Sequence, residues 1–259
     1  MLPVAAELGA APWLEVDLSL DAAPGYRLQP LVAKAQARVV SPLARFGIIS
    51  DIDDTIIQTG ATNFLKHWRT VVANSAQSRT AFPGVSAFYR GLAAGAGGPE
   101  TNPVFYVSSS PWNLFDLFER FMVLHDIPLG PILLKDFGLD ETKWLTGGHE
   151  EYKLARIERV MAAFPQLPFV MIGDSGQRDA VIYEVAERRH PGRVLAVHIR
   201  DVTGGLLAAE AEAALAALAE RGIPVTLAET LAPGAAQALA AGLIDAAAYE
   251  AVLAALRER

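Results

Sequence analysis

The chain contains no cysteine, so disulfides and thiolate-bound metals are excluded. It has no apolar run approaching the ~20 residues that span a bilayer. It lacks an excess of basic residues: Asp and Glu outnumber Lys and Arg, and the net charge of -7 disfavours nucleic acid as a partner. The first residues, "MLPVAAELGAAPWLEVDL", have no basic region and include Glu7 and Glu15, so no signal peptide is expected. No P-loop signature occurs. "GAGG" at 95–98 follows no strand-like run and lacks the GxGxxG pattern, which sets dinucleotide-binding dehydrogenases aside. There is no internal repeat, and the Ala-rich tail has helical Leu and Glu spacing rather than the look of a linker. These absences point to a soluble, cytoplasmic protein. Its 259 residues suit one large domain, or one domain with an appendage.

What is present is an alternation of short apolar runs with helical stretches. The runs are "GIIS" (47–50), "PVFYVS" (103–108), "PILLKD" (131–136), "PFVMIG" (168–173) and "VLAVHI" (194–199). Each is apolar nearly throughout, as strands buried on both faces of a parallel sheet are. In "PWNLFDLFERFMVL", Leu114, Phe118 and Phe121 recur at helical spacing, with Ser110 placed as N-cap and Pro111 at the first helical position. In "EEYKLARIERVMAAF", Leu154, Ile157, Val160, Met161 and Phe164 form a second apolar stripe. The expected fold is α/β, a three-layer sandwich around a central parallel sheet. Residues 1–45 read as a short β-containing segment, with strands at "WLEVDLSL" and near "ARVV" (37–40). Residues 46–259 read as the main domain. Its tail from about 204 is expected to form helix, short strand and further helices packed on the same sheet.

Three of the strands end in polar groups that sequence separation alone would not bring together. The first runs into "DIDDT", with Asp51, Asp53, Asp54 and Thr55. The second ends in Ser108, Ser109 and Ser110. The fourth opens into "GDSGQRD", with Asp174 and Asp179. One aspartate after a strand is commonly a turn former or helix cap. In an open α/β sheet, however, ligands bind beyond the carboxyl ends of the strands, where all these groups can converge. Carboxylates crowded into one crevice need a cation, and oxygen-only ligands favour Mg²⁺ or another hard ion. Lys153, on a helix just before the fourth strand, would be an ordinary solvated charge but for that placement. Asp54 reads as a turn residue.

As a set, "DIDDT", Ser108, Lys153 and "GDSGQRD" resemble the four motifs of the haloacid dehalogenase superfamily. More narrowly, "GIISDIDDTIIQTG", "FPGV", "FYVSSSPWNLFDLFERF" and "FVMIGDSGQRDAVIYEVAERRHPGRVLAVHIRDV" resemble the catalytic domain of actin-patch-protein-one type phosphatidate phosphatases and their bacterial relatives, over roughly residues 45–203. The resemblance implies a Mg²⁺-dependent phosphatase. Asp51 would be the nucleophile that forms an aspartyl-phosphate, and Asp53 the acid and then the base. Ser108 and Lys153 would hold the phosphoryl group, with Thr55 and Ser109 at the substrate. Asp51, the Asp53 carbonyl, Asp174 and Asp179 would serve the metal. Phosphatidate is the leading substrate, met at a membrane surface. The alternatives are soluble sugar or nucleotide phosphomonoesters, and a phosphoacceptor signalling module. The latter expects its lysine at a strand end and has no counterpart of Asp53.

Substrate choice in the superfamily depends on cap insertions. Within 62–95 and 137–152 little length is left for one, so a minimal cap and an open site are expected. "NFLKHWR" (63–69) offers Lys66, His67 and Arg69 among Phe64, Leu65 and Trp68. It reads either as an interfacial contact with anionic lipid or as an ordinary amphipathic helix. "RRHPGR" (188–193) reads as the basic end of a helix.

Overall fold

A computed structural model describes residues 12–57 (save Ala23, Tyr26 and Leu28), 81–135 and 149–258. The "NFLKHWR" segment and most of both candidate cap stretches lie outside these residues. The described residues open with an antiparallel hairpin, β1 (Trp13–Leu20) and β2 (Leu31–Arg38). β1 coincides with "WLEVDLSL". The second strand was expected at 37–40 but starts at Leu31. "LVAKAQAR" has little β-propensity of its own, and its extended form comes from pairing with β1.

Six parallel strands follow: β3 (Gly47–Ser50), β4 (Val104–Pro111), β5 (Ile132–Lys135), β6 (Phe169–Asp174), β7 (Val194–Arg200) and β8 (Val225–Ala228). Their order is β5-β4-β3-β6-β7-β8. The chain builds outward from β3 to one edge, then returns to β6 and builds to the other. The crevice between β3 and β6 is therefore the point where strand order reverses, the usual ligand position in such sheets.

Among the described residues seven helices cover the sheet: α1 (Val85–Ala94), α2 (Phe115–Leu124), α3 (His149–Ala163), α4 (Asp179–Arg189), α5 (Ala209–Glu220), α6 (Ala232–Ala240) and α7 (Ala246–Arg257). Alternate strand residues face opposite ways. Ile48, Val104, Tyr106, Val170 and Ile172 join a core with α1, α2, α6 and α7. Ile49, Phe105, Val107, Phe169 and Met171 join a second core with α3, α4 and α5. The result is a Rossmann-like three-layer sandwich, and the apolar runs of the sequence reflect this burial on both faces. The tail supplies α5, β8, α6 and α7, and β8 pairs with β7 as the outermost strand. One expectation fails at α2. Ser110 does not cap it, because β4 continues through Pro111. A single 3₁₀ turn (Trp112–Leu114) intervenes, and α2 begins at Phe115.

Candidate active site

Asp51 directly follows β3, and its backbone N–H donates to the Ile172 carbonyl of β6 (2.9 Å), so it sits on the switch point. In an uninterrupted strand Asp53 would share Asp51's face but lie about 6.6 Å further along. Instead the chain turns. Asp54 takes a left-handed conformation (φ 55°) and its N–H bonds the Ile57 carbonyl (2.9 Å). Aspartate is one of the few residue types that tolerate this conformation. Arg200, at the end of β7, donates to the Asp54 carbonyl (2.8 Å) and holds the turn in place.

β4 brings two serines to Asp53. The Oγ atoms of Ser108 and Ser110 each donate to Asp53 Oδ2 at 2.8 Å, and Ser108 Oγ also accepts the Ser110 N–H (2.9 Å). Residues two apart on a strand share a face, so Ser108 and Ser110 act together while Ser109 has the opposite parity. Asp53 Oδ1 is buried and has no hydrogen-bond partner among the described residues.

Lys153, carried by α3, is 2% exposed and reaches into the carboxylate cluster. Its Nζ donates to Asp51 Oδ1 (2.8 Å) and to Asp179 Oδ1. Asp174 ends β6. Its Oδ1 accepts the N–H groups of Gly176 (2.7 Å) and Gln177 (2.9 Å), while its Oδ2 is buried without a partner among the described residues. Asp179, in the first turn of α4, accepts the Asp174 N–H at its Oδ2 (3.1 Å). A Cβ at Gly173 would lie 2.4 Å from that oxygen, so only glycine lets the Asp179 carboxylate fold back here. Oxygens of Asp51, Asp174 and Asp179 lie within 4.8 Å of one another. Thr55 Oγ1 approaches the remaining Asp51 oxygen (3.4 Å).

Among the described residues, four buried carboxylates thus face one ammonium. Burial pushes the Asp51 carboxyl well up. Lys153 opposes the shift, and Asp179, Asp174 and Asp53 add to it. Burial also raises Asp53, against the two serine hydrogen bonds. Asp174 is raised to about 7 by burial and by Asp179. Lys153 moves above its ordinary value because, although burial opposes it, Asp179 and Asp51 hold its proton. A cluster with surplus negative charge and an unpartnered Asp174 oxygen fits a hard divalent cation.

Every residue named from the sequence except Ser109 enters this hydrogen-bonded cluster. Ser110, Gln177 and Arg200 were not named. Strand parity with Ser108 could have singled out Ser110. Gln177 lies inside the fourth motif, and its Nε2 approaches Asp51 Oδ2 (3.3 Å) and the Asp53 carbonyl (3.4 Å). Nothing in the sequence marks Arg200. Beneath the site, Ser50 Oγ donates to the Asp51 carbonyl (2.6 Å) and lies 2.6 Å from Tyr89 Oη on α1, which ties the Asp51 backbone to the core.

Residues 46–201 match the family model described as phosphatidate phosphatase APP1, catalytic domain. The chain is 31% identical over 187 residues to phosphatidate phosphatase APP1 of Saccharomyces cerevisiae, covering 72% of this chain and 31% of that protein. It is 28% identical over 177 residues to an uncharacterized protein of Schizosaccharomyces pombe, covering 66% of this chain and 28% of that one. The chain therefore spans under a third of the length of these relatives. No solved structure matches it. With the model matching 46–201 of the 259 residues, the chain belongs to the family of the phosphatidate phosphatase APP1 catalytic domain.

Proposed function

We propose that the protein is a Mg²⁺-dependent phosphatidate phosphatase that works through a phosphoryl group carried on Asp51. The observation that carries this reading is the placement of Asp51 and Asp53 on one turn, with different partners. Asp51 is paired with the Lys153 ammonium, which favours its ionised form. Burial raises both carboxyls, but Asp53 has no ammonium bonded to it, only two hydroxyls at one oxygen. A nucleophile and an acid with opposite needs thus sit side by side.

In the first step an Asp51 oxygen attacks phosphorus, the bond to the glycerol oxygen breaks, and Asp53 gives that oxygen its proton. With Ser108 and Ser110 both donating to Oδ2, the proton rests on Oδ1, the atom without a partner. In the second step Asp53 accepts a proton from water as the water attacks phosphorus and frees Asp51. Lys153 directs two of its three N–H bonds to Asp51 and Asp179 and, among the described residues, has one left for a phosphoryl oxygen. Mg²⁺ would be held by Asp51, Asp174 and the Asp53 carbonyl, with Asp179 beside them, and would offset the charge of the phosphate oxygens. Gln177 Nε2, now near two of these oxygens, would give way to it.

Phosphatidate is favoured as substrate by family membership. No helix among the described residues is long and apolar enough to cross a membrane. On this reading the site meets its lipid at a membrane surface. The test is phosphate release from phosphatidate in mixed micelles, against a panel of sugar and nucleotide monophosphates, in Mg²⁺ and in chelator. Release from phosphatidate alone, and only with Mg²⁺, is expected. Release from a soluble ester alone would move the reading to soluble phosphomonoesters, and release in chelator would remove the metal.

A further inference from the structure

The strands that carry Asp51 and Asp174 are flanked by β4 and β7. Both flanking strands end, at the same edge of the sheet, in exposed apolar side chains. Trp112, the first residue after β4, is 57% exposed. Val202 and Leu206, in the segment after β7, are 37% and 82% exposed.

Neither segment is loosely held. Beyond Trp112, Leu114 is fully buried and Phe115 is half-buried against the α2 core, with its ring centroid 5.1 Å from that of Trp112. The segment after β7 is laced to the fourth-motif loop. Ser175 Oγ donates to Asp201 Oδ1 (3.1 Å) and accepts the Val202 N–H (2.9 Å). Asp201 also accepts the N–H groups of Thr203 (2.9 Å) and Gly205 (2.7 Å). Val202 packs so closely on Gly176, whose N–H serves Asp174, that a Cβ there would lie 2.9 Å from Val202 Cγ2. Leu206 is thus presented between an anchored Gly205 and a half-buried Leu207.

Of the other exposed apolar residues, Leu18, Leu20, Leu31 and Val32 belong to the β1–β2 hairpin and Leu227 to the outermost strand, β8. Val123 and Leu124 end α2, and Leu43 precedes β3, so all three belong to the opposite edge of the sheet. Trp112 thus lies on one side of the crevice between β3 and β6, and Val202 and Leu206 on the other, at the edge where a ligand enters.

We propose that Trp112, Val202 and Leu206 form a rim that inserts shallowly into the surface of a lipid bilayer and seats the site over the lipid phosphate. This rests on the phosphatidate reading above. The substrate's acyl chains stay in the bilayer while its phosphate must reach the buried Asp51, so the crevice mouth has to meet the interface. Tryptophan favours that boundary, where its ring is apolar and its N–H stays wet. With a net charge of -7, general attraction to an anionic surface does not supply the contact, and apolar insertion does.

The test uses the full chain with phosphatidylcholine vesicles containing phosphatidate, read by co-sedimentation and by tryptophan fluorescence. Wild type is expected to sediment with vesicles at low and raised salt and to show a blue shift that Trp112→Phe abolishes. Trp112→Ser and Leu206→Ser should each weaken partitioning by about tenfold, the worth of one apolar side chain. Their hydrolysis of short-chain phosphatidate dissolved as monomers should be unchanged. Wild-type partitioning by a chain carrying both Trp112→Ser and Leu206→Ser would overturn the rim, as would loss of wild-type binding at raised salt. If the rim variants lose vesicles while no chain releases phosphate from any ester, the surface stands and the catalytic reading falls.

Discussion

Lys153→Met is the substitution that most sharply tests the electrostatics of the cluster. Methionine keeps the apolar stem through α3 and removes the charge. Lys153 is 2% exposed, and Asp51 and Asp179, its partners, are fully buried. Removing one partner of a buried ion pair leaves an uncompensated charge, at a cost of about 3–5 kcal/mol. That is a large part of the ~5–15 kcal/mol by which domains are stable. At this chain length it corresponds to a fall in Tm of roughly 10 °C. The penalty must also depend on pH. The Asp51 carboxyl is already raised by burial, and losing Lys153 raises it further. An acid whose folded pKa lies above its unfolded value destabilises the fold as pH rises between the two. Urea unfolding in chelator should therefore show a larger gap between variant and wild type at pH 8 than at pH 5, and Mg²⁺ should narrow it. Equal midpoints at pH 8 in chelator would refute the buried ion pair.

Three further outcomes are expected. Mg²⁺ at about 100 times its dissociation constant should stabilise the wild type by about 2.7 kcal/mol, read as a rise in Tm, and Asp174→Asn should remove most of that rise. Ser110→Ala should lower kcat about tenfold and, by taking a donor from ionised Asp53, shift the alkaline limb of the pH profile upward; Ser109→Ala should do neither. His198 is fully buried, with its Nδ1 2.9 Å from Thr226 Oγ1, and burial lowers it to about 4. Because that lies below its unfolded value, the stability it contributes is present above about pH 6.5 and lost as pH falls toward 4, by on the order of 3 kcal/mol. His198→Phe should flatten the acid side of the stability curve by that amount in urea unfolding.

The strands β3, β4, β6 and β7 were legible because burial on both faces leaves an unbroken apolar run. β2 was placed late because Ala, Lys and Gln carry no strand signal, and the pairing with β1 that extends them is not local. The end of β4 was misread for a related reason. "SSSP" has the local chemistry of a helix start, yet Ser108 and Ser110 bond Asp53, more than fifty residues away, and keep the chain extended. Residue types at the site were legible because carboxylates at the ends of apolar strands are costly without a shared purpose. The roles of Asp51 and Asp53 came only from the family resemblance, and the geometry that sets their surroundings apart was not legible. It depends on the left-handed turn at Asp54 that Arg200 braces from β7, and on which oxygens the serines and Lys153 leave open.

The most direct test of the central claim is to mix enzyme and radiolabelled phosphatidate with Mg²⁺ in a single turnover, quench in acid, and map the label by mass spectrometry. A phosphoryl group on the peptide containing Asp51, absent from Asp51→Asn, which releases no phosphate, is expected. Wild-type phosphate release by Asp51→Asn, or label on another residue, would contradict the assignment of Asp51 as nucleophile.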